Sequence, residues 1–143
     1  MNLKQIVAHL VENWHACLFP LDQNGEPRGV DWKASKFTTS ELAAYVDGGV
    51  GIGWRLEGFL AIGFENCPVA IQQFLSLWEQ SGDERFRDAV GLKSLEQIFV
   101  FLQDTRNAAH NKQLSAWPKL QLLGRDDWIK VEGVLFKPAE LMQ

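Results

Sequence analysis

Val50-Gly51-Ile52-Gly53-Trp54-Arg55-Leu56-Glu57-Gly58-Phe59-Leu60-Ala61-Ile62-Gly63-Phe64-Glu65 holds two apolar, β-rich runs on either side of Glu57-Gly58. A two-residue link containing Gly is the shortest connection that turns one strand back along another. The stretch therefore predicts strands over 50–56 and 59–65, paired as a hairpin. A sheet built on this pair, with helices before and after it, sets the fold class.

Upstream, Leu3, Ile6, Val7, Leu10, Val11 and Trp14 recur at i, i+3, i+4, i+7, i+8 and i+11, one face of a helix with Asn2 as its N-cap. Ala16 to Phe19 is a short apolar run ending at Pro20, which predicts a buried strand. Residues 21–37 are turn-rich and charged and predict a long loop, a length often tied to function. Thr39 or Ser40 caps a short helix running through Val46.

Downstream, Pro68 suits the first position of a helix whose buried face carries Ile71, Phe74, Leu75 and Trp78, ending near Ser81-Gly82. Residues 83–95 are charged and show no clear period. Glu96 to Gln103 predicts a strand that is apolar on both faces and therefore central. An irregular stretch at 104–118 precedes strands at 119–123, 128–132 and 134–137, the last two joined at Gly133 as a closing hairpin. The order of elements predicts an α+β fold over residues 1–143 as a single domain, a mostly antiparallel sheet with helices packed on it.

With 143 residues, 46% of them hydrophobic, the chain is too apolar for a disordered tail and suits one core. No apolar run is long enough to cross a membrane, and residues 1–11 lack the unbroken apolar stretch of a signal peptide. Cys17 and Cys67 lie in apolar surroundings and read as two buried thiols in a reducing cytoplasm. Two Cys and three scattered His give no zinc-ligand spacing. The net charge of −4 argues against a strongly basic nucleic-acid-binding domain. Yet residues 105–125 carry Arg106, Lys112, Lys119 and Arg125 and no acid, a local charge of +4 that leaves −8 on the remainder.

The order of signals resembles the N-terminal prim-pol domain of bifunctional DNA primase/polymerases, in the archaeo-eukaryotic primase superfamily. The residues that carry the resemblance are Phe19-Pro20-Leu21, Asn24-Gly25-Glu26-Pro27, Trp32, Thr38-Thr39, Val50-Gly51-Ile52-Gly53, Glu57-Gly58 and Phe59-Leu60-Ala61-Ile62. Gln97-Ile98-Phe99-Val100-Phe101 looks like the strand that carries the family's histidine. Asp127 to Pro138 looks like its terminal hairpin, ending Gly133-Val134-Leu135-Phe136-Lys137-Pro138. The resemblance spans nearly the whole chain and implies a prim-pol architecture with an RRM-like core.

Polymerase chemistry of that family needs carboxylates that converge on divalent metals, Mg or Mn, flanking the attacking and leaving oxygens. The family places an acid pair at i and i+2 near the end of the hairpin's second strand, where alternation aims both at one face. Here that position is Gly63-Phe64-Glu65, so the resemblance implies one acid, Glu65, where two are needed. Gln97, or Glu96 in a register one residue earlier, stands where the family has its phosphate-binding histidine. Asp127 matches a third acid, and Ile129 replaces the arginine-like residue that follows it. Glu65 also reads as an acid near the positive end of the next helix, and Asp126-Asp127 as an ordinary turn.

The resemblance thus implies a primase-polymerase-like domain with a degenerate metal site. It is expected to be non-catalytic and to bind a nucleotide, single-stranded nucleic acid or a replication partner. Glu65 and Asp127 are its residual catalytic and metal-binding candidates. Gln97, Arg106, Lys112, Trp117, Lys119 and Arg125 are the candidates for binding nucleotide or nucleic acid, through charge and base stacking. Two other readings stay open: a weakly active nucleotidyltransferase using Glu65 and Asp127, with Glu57, and a pure protein-interaction module. Of the six Trp, Trp14 and Trp78 read as core, Trp54 and Trp128 as strand residues, and Trp32 and Trp117 as open to ligand contact.

Overall fold

A computed structural model describes residues 1–29, 36–107, 112–113 and 120–142. Trp32, His110, Trp117 and Lys119 lie outside the described residues, as does the side chain of Lys112. The fold is α+β, with antiparallel strands throughout.

Helix α1, Leu3–Trp14, starts where the sequence says it should. Asn2 accepts from the Gln5 N–H at 2.9 Å, and the Gln5 side chain accepts from the Asn2 N–H at 2.8 Å, a reciprocal cap. The same device, Thr38 with Glu41, opens helix α2, Thr39–Asp47, so the cap is Thr38 rather than the expected Thr39 or Ser40, because Glu41 stands three residues after Thr38. Between them runs strand β1, Cys17–Pro20. Helix α3, Pro68–Ser81, takes Pro at its first turn and ends at Gly82 in the left-handed region.

Two sheets divide the strands. One has the order β1-β2-β8, with β2 at Ile52–Arg55 and β8 at Trp128–Lys130. The other has the order β6-β7-β3-β5-β4-β9. Its strands are β3 (Phe59–Glu65), β4 (Val90–Lys93), β5 (Gln97–Gln103), β6 (Lys112–Gln113), β7 (Gln121–Leu123) and β9 (Val134–Phe136). The ambiguous stretch after α3 resolves into a 3₁₀ turn, Glu84–Arg87, and strand β4. Strand β5 is central, as its two apolar faces require.

Both expected hairpins are overturned. Strands β2 and β3 belong to different sheets, and so do β8 and β9. The edges of β2 are filled by β1 and β8, and those of β3 by β5 and β7. Glu57-Gly58 is a corner, closed by Phe59 N–H to Leu56 O at 3.2 Å. It is held by Asp104 N–H to Gly58 O and by Gly58 N–H to the Asn107 side chain at 2.7 Å. The reason lies in Trp54. Its ring stacks on Phe101 of the opposite sheet, centroids 4.1 Å apart, and meets Phe59 edge-on at 5.2 Å. A planar hairpin would put β2 beside β3; the corner lays β2 over the six-stranded sheet and buries the largest side chain between the two layers.

The two faces of the six-stranded sheet carry separate cores. Ala61, Leu92, Phe101 and Leu123 face β2, β8 and α1 through Trp54, Ile129 and Leu10. Phe64, Ile98, Val100 and Leu102 face α3 through Ala70 and Phe74. Cys17 and Cys67 are free thiols and only half-buried, not the core residues expected. Trp14 and Trp78 are likewise half-buried at the margins of these cores. No helix among the described residues is long and apolar enough to cross a membrane.

Candidate nucleotide-binding cleft

Alternation along β3 puts Ala61, Gly63 and Glu65 on the face that looks toward β8. The β3–β5 register sets Glu65 opposite Gln97 and Gly63 opposite Phe99. The β3–β7 register adds Gln121 beside Gly63. Toward Ala61 this face is sealed by core. Toward Glu65 it opens into a cleft of about 530 Å³ lined by Gln97 and Phe99, by Gln121 and Leu123, and across the gap by Asp126–Lys130 and Glu132.

Gly63 is closely covered. A Cβ there would stand 2.7 Å from Phe99 Cε1, so the Phe99 ring occupies the space a side chain would need. Glu65, one register level beyond, is exposed at the strand end and does not line the cleft. Its backbone, not its carboxylate, meets the start of α3: Cys67 N–H donates to Glu65 O, and the helix has no side-chain N-cap bond.

Asp127 sits in the tight turn between β7 and β8. Its Oδ2 accepts from Gly124 N–H at 2.9 Å, and its carbonyl accepts from Leu56 N–H at 3.0 Å. Leu123, where this turn departs, pairs with Ala61, and β7 runs away from Glu65. Roughly 13 Å of strand separates the Ala61 level from the Glu65 level. The two acids do not converge. Glu57, the third acid of the rearranged-site reading, is engaged by Arg55 at 2.6 Å in the corner at the opposite end of β3. Among the described residues no group of three His, Cys, Asp or Glu side chains is placed to hold a metal. The donor set for Mg or Mn that the resemblance implies therefore does not fit this site.

The remaining candidates disperse. Arg106 is exposed beyond the end of β5, its N–H tied to Asp104 at 3.2 Å. Arg125 is exposed and 3.6 Å from Asp126. Trp117 and Lys119 lie outside the described residues, and of Lys112 only the backbone, in β6, is described. Among the described residues, Gln97 alone of the nucleotide-binding candidates lines the cleft, at the start of β5, with Glu96 just before the strand.

Several cleft residues escaped sequence reasoning. Trp128 is half-buried, packs edge-on to Phe19 at 5.7 Å and lines the gap with Phe99. Gln121 and Lys130 add an amide and a cation. Two rings and two amides are suited to stack on a base and bond its edge, while Lys130 shares the lining with three carboxylates, Asp126, Asp127 and Glu132. Alternation of Trp128 and Lys130 about buried Ile129 was the available signal, since it aims both away from the core.

Comparison with protein-family models and with curated proteins finds no match for this chain.

Proposed function

We propose that the chain is a primase-polymerase-like module that binds a nucleotide or single-stranded nucleic acid in the Gln97–Trp128 cleft without polymerising it. The observation that carries this reading is the Gly63–Phe99, Glu65–Gln97 register. Positions 63 and 65 share one face, with 65 across from 97 and 63 across from 99, which supports reading them as the acid-pair and phosphate-binding positions that the resemblance implies. Only one of those acids is present, and an aromatic ring fills the place of the other. Phosphoryl transfer by two metals draws most of its rate from charge stabilisation by those ions. A single exposed carboxylate supplies no such centre, whereas the rings and amides of the cleft retain the means to bind. A replication protein that delivers or shares the strand is the partner this reading implies.

Primer extension with Mg²⁺ or Mn²⁺ tests the catalytic half. No product is expected. Extension that disappears in Glu65→Ala would overturn the reading.

A further inference from the structure

A second cavity, of about 480 Å³, lies between the turn that leaves β1 and the link from α2 to β2. We infer that it is a phosphate-ester site, formed by Arg28 and Lys130 beside the glycine-rich link 48–51.

The turn is built to present Arg28. Leu21 bridges Pro27, and Asp22 Oδ1 closes the loop between them by accepting from Asn24 N–H at 2.8 Å and Glu26 N–H at 3.0 Å. The chain then returns with Arg28 Nε donating to Leu21 O at 2.9 Å and the guanidinium carbon 5.6 Å from the centroid of the Tyr45 ring. One of the five N–H donors is spent on holding the fork in place. A guanidinium fixed in this way has already lost the rotamer freedom that binding an anion would otherwise cost.

The facing wall is the glycine-rich link 48–51, with Val50 as its one side chain, and its amides at 48, 49 and 50 donate to the last carbonyls of α2. Gly48 ends α2, its N–H directed to Ala44, Tyr45 and Val46 carbonyls. Gly49 has φ +81°, a conformation that favours glycine, and a Cβ there would meet nothing within 4 Å. A Cβ on Gly51 would be 3.6 Å from Lys130 Cε, which places the lysine stem along this wall. Glycine in such a row lets a ligand approach the backbone closely. Lys130 is held only weakly elsewhere: its Nζ is 3.7 Å from Glu132, and both side chains are more than half exposed.

Charge gives the ligand its sign. In a chain of net charge −4, the described residues lining this cavity include two cations and one acid, Asp22, whose Oδ1 is occupied by the turn. A held fork and an exposed ammonium across a glycine-rich wall match the tetrahedral oxygens of a phosphate ester, with bidentate contact from the arginine. The volume falls within the roughly 300–1,000 Å³ typical of small-molecule sites. Free nucleotides and the backbone of a single strand both offer this group. Lys130 borders this cavity and the Gln97 cleft alike, but the inference needs only the cavity.

The test is an amide NMR titration of the whole chain with inorganic pyrophosphate, with AMP and with an oligothymidylate lacking terminal phosphate. Saturable shifts of the Gly49 and Gly51 amides are expected with pyrophosphate. Arg28→Lys, which keeps the charge and loses the fork, and Lys130→Gln, which leaves the turn intact, should each weaken the response about tenfold. Tighter binding of AMP than of oligothymidylate assigns the site to nucleotides, and the reverse order to a strand. Gln121 and Asp126 amides report the other cleft, so a failure there is read separately. Unmoved glycine amides, or shifts that neither variant weakens, would overturn the inference.

Discussion

Phe99 lies directly opposite Gly63 across β3 and β5, and its ring covers the glycine so closely that a Cβ at position 63 would be 2.7 Å from it. The pair explains at once why the cleft face is smooth and why it lacks an acid at this point. Gly63→Ala should therefore cost about 1–3 kcal/mol by overpacking. Adding Phe99→Leu should relieve it, so that the double variant is more stable than the two single costs summed, with a coupling of at least about 0.5 kcal/mol. Denaturant midpoints of the four proteins check this.

Asp127 closes a turn through Gly124 N–H at 2.9 Å. Asp127→Asn keeps an acceptor oxygen and should leave stability nearly unchanged, while Asp127→Ala strands a half-buried donor and should cost about 1 kcal/mol. Ligand binding should survive in both. Thermal melts beside a binding titration separate this turn role from that of a metal ligand, which Asn would not replace.

Trp54 is fully buried, and among the described residues its indole N–H has no hydrogen-bond partner. Trp54→Ala should cost about 3–5 kcal/mol through the cavity it leaves. Trp54→Phe should cost distinctly less, since it keeps a ring against Phe101 and removes the unpaired donor. Equal losses in the two variants would contradict this account of the core.

Asp83 is held below its ordinary value of 3.8 by side-chain and backbone hydrogen bonds from Arg85, which also donates to Gln103 O at the end of β5. A carboxylate favoured in the folded state stabilises it above the unfolded value, and that contribution is lost as pH falls through the depressed folded one. Asp83→Asn should therefore be less stable than the parent at neutral pH, and the difference should shrink below about pH 3.8. Urea unfolding at several pH values reads it. A difference that grows on acidification would contradict the pairing.

The helices and the central strand were legible because local chemistry specifies them. The cap at Asn2, Pro68 at the start of α3, and the two apolar faces of β5 require no knowledge of partners. The expected cap of α2, Thr39 or Ser40, falls one or two residues later than the actual one, Thr38. Glu57-Gly58 and Gly133 were misread because a tight glycine turn serves a hairpin and a corner equally well. What decides is the occupant of each strand edge and the stacking of Trp54 on Phe101, both long-range. Glu65 and Gln97 were singled out through the resemblance, and their position opposite each other follows from the β3–β5 register. The convergence of Glu65 with Asp127 was not legible, since it depended on the direction in which β7 leaves Ala61. Trp128 and Lys130 went unassigned because their alternation about Ile129 shows a strand but not what lies across from it.

The most direct test of the account is single-strand and nucleotide binding measured by anisotropy at low salt, in Mg²⁺ and again in excess chelator. The account predicts saturable binding that falls with added salt, is unchanged by chelation and by Glu65→Gln, and weakens in Trp128→Ala. Binding that requires the metal and is lost in Glu65→Gln, or no binding at all, would contradict it.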